Sequence, residues 1–518
     1  MPFFRRLSPR RLMIFGSAFV LFGFFAFSLA PITSPLPRYT GPHEVGVLDV
    51  EVEVEPRLVN GNEAVLKETG ERAFELSTLA VTLYYPSTIP PPAPGQPQPY
   101  ARPWLPQPIS LIGTGYARLA RVYFPPLQAL FTFTMWALGS STVIPGIVDA
   151  PLLSQSQKTL LDESGGISGL GRVTEAEESD GRMELRGTKG DKTVDVNVQG
   201  IDNLLKEKFP CVVFTHGMAG MSQSYSHYLG SIASHGYVVA AIEHRDGSGP
   251  GTIVHHPNGT ERRVWHLQLA DLSASPAMTA ADLKVAQLAF REAEIHETVQ
   301  LFQNLTAGHG ATLTNLKPDS PSSSLAGFKD RLDMDAITVA GHSYGATGAL
   351  QALKCAPSAD VPFNGGIALD PGKGSGPLNH AIEVPTLVLQ SGEWTDKQTQ
   401  FYDQGWHFAV VRDLVAATRK GWFLTLRGTA HPSVTDAPLI VPWIMRLVTG
   451  TTLNAEVALR EYIDVSVDFL QVLQRVRNAG PLTRPVSSPE GPLGEVQDRG
   501  TVEGSSGGEW EVHVVSEV

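Results

Sequence analysis

The sequence predicts an α/β fold, a mostly parallel central sheet with helices on both faces. Short, continuous apolar runs recur as Cys211-Val212-Val213-Phe214, Tyr237–Ile242, Ala336–Ala340, Gly366–Leu369, Pro385–Leu389 and Trp422–Leu426. Runs of this length without polar alternation suit strands covered on both faces, as in parallel sheets. Stretches of helical character separate them. The clearest runs from Ala280 to Leu305, with Val285, Leu288, Ile295, Val299 and Phe302 near one face. Finally, Gly341-His342-Ser343-Tyr344-Gly345 lies between an apolar run and the small residues Ala346-Thr347-Gly348-Ala349, so strand, sharp turn and helix follow one another.

The first elements sit before this core. Arg5, Arg6, Arg10 and Arg11 precede an uncharged apolar stretch from Leu12 to Ala30. As a helix it would span about 28 Å, close to a bilayer core. Residues 1–35 are therefore expected to be a cytoplasmic basic stub and an uncleaved signal anchor. The catalytic domain would then be lumenal or extracellular. Ser28-Leu29-Ala30 offers a small-x-small cleavage site, so a cleaved signal peptide and a secreted product is the alternative. The sequons at Asn258 and Asn304 are compatible with that side of the membrane.

The main domain is expected over 36–478. Val50, Val52 and Val54 alternate with Glu51, Glu53 and Glu55, which reads as a half-exposed strand at a sheet edge. A strand from Leu79 to Tyr85 follows. Residues 86–200 read as an excursion from the sheet, with a Pro-rich loop at 86–108, an apolar aromatic segment at 109–150 and a polar Gly-rich stretch at 154–200. Residues 307–330 read as a loop. From 479 to 518 the chain turns to Gly, Pro, Ser and acidic residues, and a disordered tail is expected.

Composition narrows the function. The net charge of −12 disfavours nucleic-acid binding. Two cysteines, Cys211 and Cys355, make neither a disulfide scaffold nor a cysteine zinc site; both read as buried free thiols. His255-His256 lacks further ligands at metal spacing. No cofactor is expected.

The chemistry centres on Ser343. A serine hydroxyl needs a general base, a carboxylate to orient that base, and donors for the oxyanion. G-x-S-x-G at a strand-to-helix turn is the nucleophile elbow of the α/β-hydrolase fold, whose partners follow in the order Ser, Asp or Glu, His. The same pattern at Gly504-Ser505-Ser506-Gly507-Gly508 has no strand before it and carries no such reading. Asp370 ends the run Gly366–Leu369, and His431 follows the run Trp422–Leu426. Asp396, after Pro385–Leu389, is the alternative acid, and Glu393 a weaker one. Backbone N–H groups of Met218, in Thr215-His216-Gly217-Met218-Ala219-Gly220, and of Tyr344 are the expected oxyanion donors. Glu243, His244, Arg245 and Asp246 read as a hydrogen-bonded scaffold. His216 and His342 read as structural or pocket-lining.

Val213–Met218, Ser234–Asp246, Gly341–Gly345, Ile367–Asp370 and Arg427–His431 together resemble the plasma-type platelet-activating-factor acetylhydrolases, and Leu83-Tyr84-Tyr85-Pro86-Ser87 is similar to that family's early strand. The resemblance spans roughly residues 75–450 with gaps. It implies a calcium-independent α/β-hydrolase that removes short or oxidised sn-2 acyl groups from phospholipids, and it favours Asp370 over Asp396. The longer excursion at 86–200, the insert at 307–330, the anchor and the tail depart from the family pattern. A general carboxylesterase or polyester-type hydrolase, and a non-catalytic binding protein on the same fold, are the alternatives. Expected partners are an ester or phospholipid substrate and a membrane, with no nucleic acid.

Overall fold

A computed structural model describes residues 33–90, 101–154, 173–179, 182–187, 208–397, 399–401, 405–418, 420–476, 480–491 and 509–516. Among these, eleven strands form one sheet. They are β1 (Glu44–Leu58), β2 (Glu75–Ser87), β3 (Ala101–Pro103), β4 (Val143–Val148), β5 (Phe209–Thr215), β6 (Val238–Ile242), β7 (Leu332–His342), β8 (Phe363–Leu369), β9 (Thr386–Ser391), β10 (Gly421–Leu426) and β11 (Trp510–Val514). The spatial order is β11-β10-β9-β8-β7-β5-β6-β2-β1-β4-β3. From β6 to β10 every pairing is parallel, while β6–β2, β2–β1, β4–β3 and β10–β11 are antiparallel.

Side chains alternate across the sheet and build two cores. Cys211 and Val213 of β5 pack with α4 (Ala280–Thr306), α5 (Tyr344–Ala352) and α7 (His407–Ala417); Val212 and Phe214 pack on the other face with α3 (Ser226–Ser234) and α10 (Ala455–Leu473). The remaining helices named below are α1 (Ile109–Leu119), α2 (Pro125–Gly139), the short α6 (Gly392–Asp396), α8 (Ala437–Ile440) and α9 (Pro442–Thr449). Helix α4 begins where Thr279 accepts the Asp282 N–H and the Asp282 side chain returns to Thr279, a reciprocal cap that fixes its start.

Several expectations are corrected. The segment 86–200 is not wholly outside the sheet. Its β4 pairs in parallel with β1 at Gly46 and Val47, and β3 closes that edge. Val143-Ile144-Pro145-Gly146-Ile147-Val148 hides a strand from a composition reading because Pro and Gly interrupt it. Asp49 on β1 accepts Arg102 of β3 at 2.8 and 2.6 Å, clipping the added strands to the core. The Val50–Glu55 stretch lies beyond the β4 pairing, as an edge would, but the expected half-exposed alternation fails at Glu51, which is fully buried, and Val45 to Leu48 are buried too.

The C-terminal expectation of disorder also fails over 480–491, where Leu482 is buried, and over 509–516. Trp510–Val514 pairs with β10, and Trp510 is buried with its Nε1 donating to Glu461 at 2.8 Å. An open β10 edge offers unpaired backbone groups, and the alternation in Trp510-Glu511-Val512-His513-Val514 fits a strand that satisfies them. Val285 is exposed, while Arg291 and Glu294 on the same helix are buried. Cys211 is buried as expected, but Cys355 is exposed; both are free. The apolar stretch 12–30, half of the tail and the second G-x-S-x-G lie outside the described residues. Among the described residues no helix is long and apolar enough to cross a membrane.

Candidate active site

The elbow is built by backbone geometry. Ser343 has φ 58° and ψ −118°, a conformation that costs energy for any residue with a Cβ. Its neighbours must be glycine. A Cβ on Gly341 would lie 2.4 Å from the Gly345 carbonyl carbon, and one on Gly345 would lie 2.0 Å from Thr215 O. The strained turn is held from outside: Ser343 N–H donates to Leu369 O at 2.9 Å, and Ser343 O accepts Gly372 N–H at 3.0 Å. Because β7 and β8 pair in register up to His342 and Leu369, Ser343 and Asp370 leave adjacent strands side by side.

Asp370 is nearly buried and carries a positive φ of 46°. Its Oδ2 meets His431 Nδ1 at 2.9 Å. Ser391, at the end of β9, supplies two more donors, its N–H to Oδ1 at 2.6 Å and its hydroxyl to Oδ2 at 2.7 Å. Three hydrogen bonds fix the carboxyl group and leave it aimed at the imidazole. Asp396 is exposed at the end of α6, and the imidazole's carboxylate partner is Asp370. Glu393 holds the main chain of the same histidine, its Oε2 accepting the His431 backbone N–H at 2.9 Å. His342 is buried, its Nδ1 meets the Tyr225 hydroxyl at 2.8 Å, and its ring lies 4.4 Å from that of His431. Burial holds its pKa well below the usual histidine range, and the neighbouring His431 adds to the effect.

The loop after β5 lies against the nucleophile. A Cβ on Gly217 would sit 3.0 Å from the Ser343 Cβ. Gly217 N–H donates to the Tyr225 hydroxyl at 3.2 Å, and Ala219 N–H to Ser248 O at 2.8 Å. Ala219 O accepts the Tyr116 hydroxyl of α1 at 3.0 Å, so the added segment braces this loop. Met218 stands between these fixed points at the exposed crest. Tyr344 is the first residue of α5, where helix amides point outward from the first turn.

Behind the loop lies a buried polar network. Arg291, fully buried, donates to Asp246 at 2.7 Å, to His216 O at 2.5 Å and to Thr215 at 3.2 Å, and its guanidinium lies 4.6 Å over the Tyr344 ring. His244 bridges Thr215 and Glu294. Burial raises the Glu294 pKa and lowers that of His244, so both lean to their neutral forms. Burial also pushes His216 down to about 3. Arg245 pairs with Glu51 at 2.8 Å, and His255 donates its backbone N–H to the same carboxylate at 3.0 Å. The run 243–246 thus serves as scaffold.

Among the described residues, one set of metal-capable groups gathers, His342, Asp370 and His431, with ligand atoms within 4.8 Å of one another. Within this set His342 Nδ1 meets Tyr225, and Asp370 Oδ2 meets both Ser391 and His431 Nδ1. Sequence reasoning missed Ser391, Trp394 and Tyr225. Only a strand-end position hints at the first, since all three act across long sequence separations.

The profile of the family described as platelet-activating factor acetylhydrolase, isoform II, matches residues 154–479. A platelet-activating factor acetylhydrolase of Bos taurus is 34% identical over 272 residues, 51% of this chain and 57% of that protein. One from Canis lupus familiaris is 30% identical over 238 residues, 44% of this chain and 49% of that protein. A putative phospholipase A2 of Schizosaccharomyces pombe is 34% identical over 147 residues, 27% of this chain and 33% of that protein. The chain thus spans about half the length of the first two curated relatives. A solved ferulic acid esterase from Streptomyces cinnamoneus shares the fold at TM-score 0.50 and 17% identity, covering 88% of this chain and 97% of the other. With the profile covering more than half of its length, the chain belongs to the platelet-activating factor acetylhydrolase, isoform II, family.

Proposed function

We propose that this chain is a serine hydrolase that cleaves the sn-2 ester of phospholipids carrying short or oxidised acyl chains. The observation that carries the reading is the strained Ser343 apex beside the Asp370–His431 pair. Ser343 attacks the ester carbonyl. His431 takes its proton and returns it to the leaving alcohol, while Asp370 holds the imidazole tautomer and steadies the imidazolium. The N–H groups of Met218 and Tyr344 receive the oxyanion, a contribution of several kcal/mol in such sites. Water then releases the acyl group by the same base.

The substrate class draws support from family membership and from exposed apolar side chains. Phe124, Leu127, Leu130, Phe133 and Trp136 lie on or beside α2, and Trp443, Leu447 and Val448 on α9. Two such helices suit a protein that works on a lipid surface. The basic stub and apolar stretch at 5–30 support a membrane anchor with the catalytic domain on the far side. Protease protection of membrane-bound chain tests that orientation.

The deciding experiment compares short-sn-2 phospholipids with short-chain p-nitrophenyl esters on purified protein and on Ser343→Ala. The substitution should abolish turnover and fluorophosphonate labelling with little loss of fold. Turnover retained in Ser343→Ala would sink the mechanism. Equal efficiency on both substrate classes would leave a general carboxylesterase, and absence of labelling in the native chain a binding protein.

A further inference from the structure

His431 is held on more than its Asp370 side. The indole of Trp394 stacks on its imidazole, with ring centroids 4.1 Å apart and planes 6° from parallel. Local structure puts it there. Trp394 lies in α6, where Ser391 at the N-cap accepts the Trp394 N–H at 3.4 Å. The same hydroxyl donates to Asp370 at 2.7 Å. Glu393, one residue earlier, fixes the His431 backbone at 2.9 Å and is itself tied to Thr429 O at 3.0 Å. Trp394 also meets His407 edge-on at 5.6 Å, and the Lys373 ammonium lies 4.6 Å from the indole centroid. Any flat apolar wall could hold a neutral imidazole in place. An indole face does more, because its negative potential attracts a cation lying over it. The imidazole of a Ser-His-Asp site becomes such a cation as the serine proton moves.

We propose that Trp394 is a positioning residue whose indole face stabilises the His431 imidazolium during turnover. The inference rests on the triad reading above. The charged and titratable groups facing His431 are Asp370 at its Nδ1, Glu393 at its backbone, His342 at 4.4 Å, and His407, Lys373 and Lys397 beyond Trp394 and Glu393. Burial holds His342 neutral and pushes His407 down to about 4. Burial also lowers Lys373 to about 8, so it changes charge well above the acid limb of the rate profile. That limb, read on a soluble short-chain ester, therefore reports the base.

The test uses the full-length chain and the pH dependence of kcat/KM. Trp394→Leu removes the face that favours the imidazolium, so the acid limb should move to lower pH by about 0.5 to 1 unit. Its kcat should fall roughly three- to tenfold with KM little changed. Trp394→Phe keeps a ring face and should recover most of both. An unmoved limb in Trp394→Leu, or an equal shift in Trp394→Phe, overturns the inference. If Trp394→Leu does not fold, the limb is read in native chain grown on fluorinated tryptophan, with Trp394→Phe grown the same way as reference. The weakened ring should lower the native limb alone, and no movement overturns the inference. His431→Ala separates the two levels. Turnover retained there removes the triad and this inference with it, whereas a dead His431→Ala beside an unshifted Trp394→Leu removes only the role of Trp394.

Discussion

Ser391 donates twice to Asp370, through its backbone N–H at 2.6 Å and its hydroxyl at 2.7 Å. The backbone bond survives substitution to alanine, and the hydroxyl bond does not. Ser391→Ala should therefore loosen the carboxylate without displacing it. A charge-assisted bond is lost, about 1.5–3 kcal/mol in a buried setting. We expect kcat to fall roughly tenfold or more with KM nearly constant, measured on a short-chain ester.

The choice of acid is testable by a paired substitution. Asp370→Asn keeps shape but reverses the hydrogen-bond preference toward His431, which stabilises the wrong tautomer. Loss of about 10⁴ in kcat is expected. Asp396→Asn, at an exposed position away from the imidazole's carboxylate contact, should stay within about twofold of native. The reverse pattern would reassign the acid.

Tyr225 joins the loop after β5 to the elbow, since its hydroxyl takes Gly217 N–H and meets His342 Nδ1. Tyr225→Phe leaves both groups without that partner. The loop amides should shift relative to Ser343 and cost roughly tenfold in kcat, short of the loss seen when an oxyanion donor is removed outright. A loss confined to KM would place Tyr225 in substrate binding instead.

The Asp49–Arg102 clip gives a pH signature. Burial alone would raise the Asp49 pKa, but the Arg102 guanidinium and the hydrogen bonds outweigh it and hold the carboxyl below its ordinary value. The stabilisation is thus present above the unfolded aspartate value of about 3.9 and is lost as pH falls through the folded value. Arg102→Met should lower unfolding free energy by about 3 kcal/mol at pH 7 by stranding a largely buried carboxylate. The gap between native and variant should shrink below about pH 4, as read by urea denaturation.

The parallel strands and the elbow were legible because each is local. Four continuous apolar runs fall within β5, β7, β8 and β10, a fifth begins one residue before β9, and the sixth covers β6. Glycine at 341 and 345 answers a steric demand inside one turn. Chain order pointed to His431 but left Asp370 and Asp396 both open as its acid, and only the contact between Asp370 and the imidazole separates them. What stayed hidden was set by contacts far apart in sequence. The partnership of Ser391 with Asp370 depends on β8 and β9 being neighbours. Arg291 looks like a solvent-facing residue on α4 until Asp246 and the His216 carbonyl are brought to it. The tail strand at 510–514 has meaning only once β10 offers an open edge.

The two cysteines leave the chain with a built-in chemical handle. Cys211 is shut inside the sheet, and burial raises its thiol further from the reactive thiolate. Cys355 is exposed just past the far end of α5, the helix that begins next to Ser343. A maleimide dye should therefore mark one place on the native chain, about 14 Å of helix from the elbow. Its fluorescence could follow acylation and release in real time without an engineered residue.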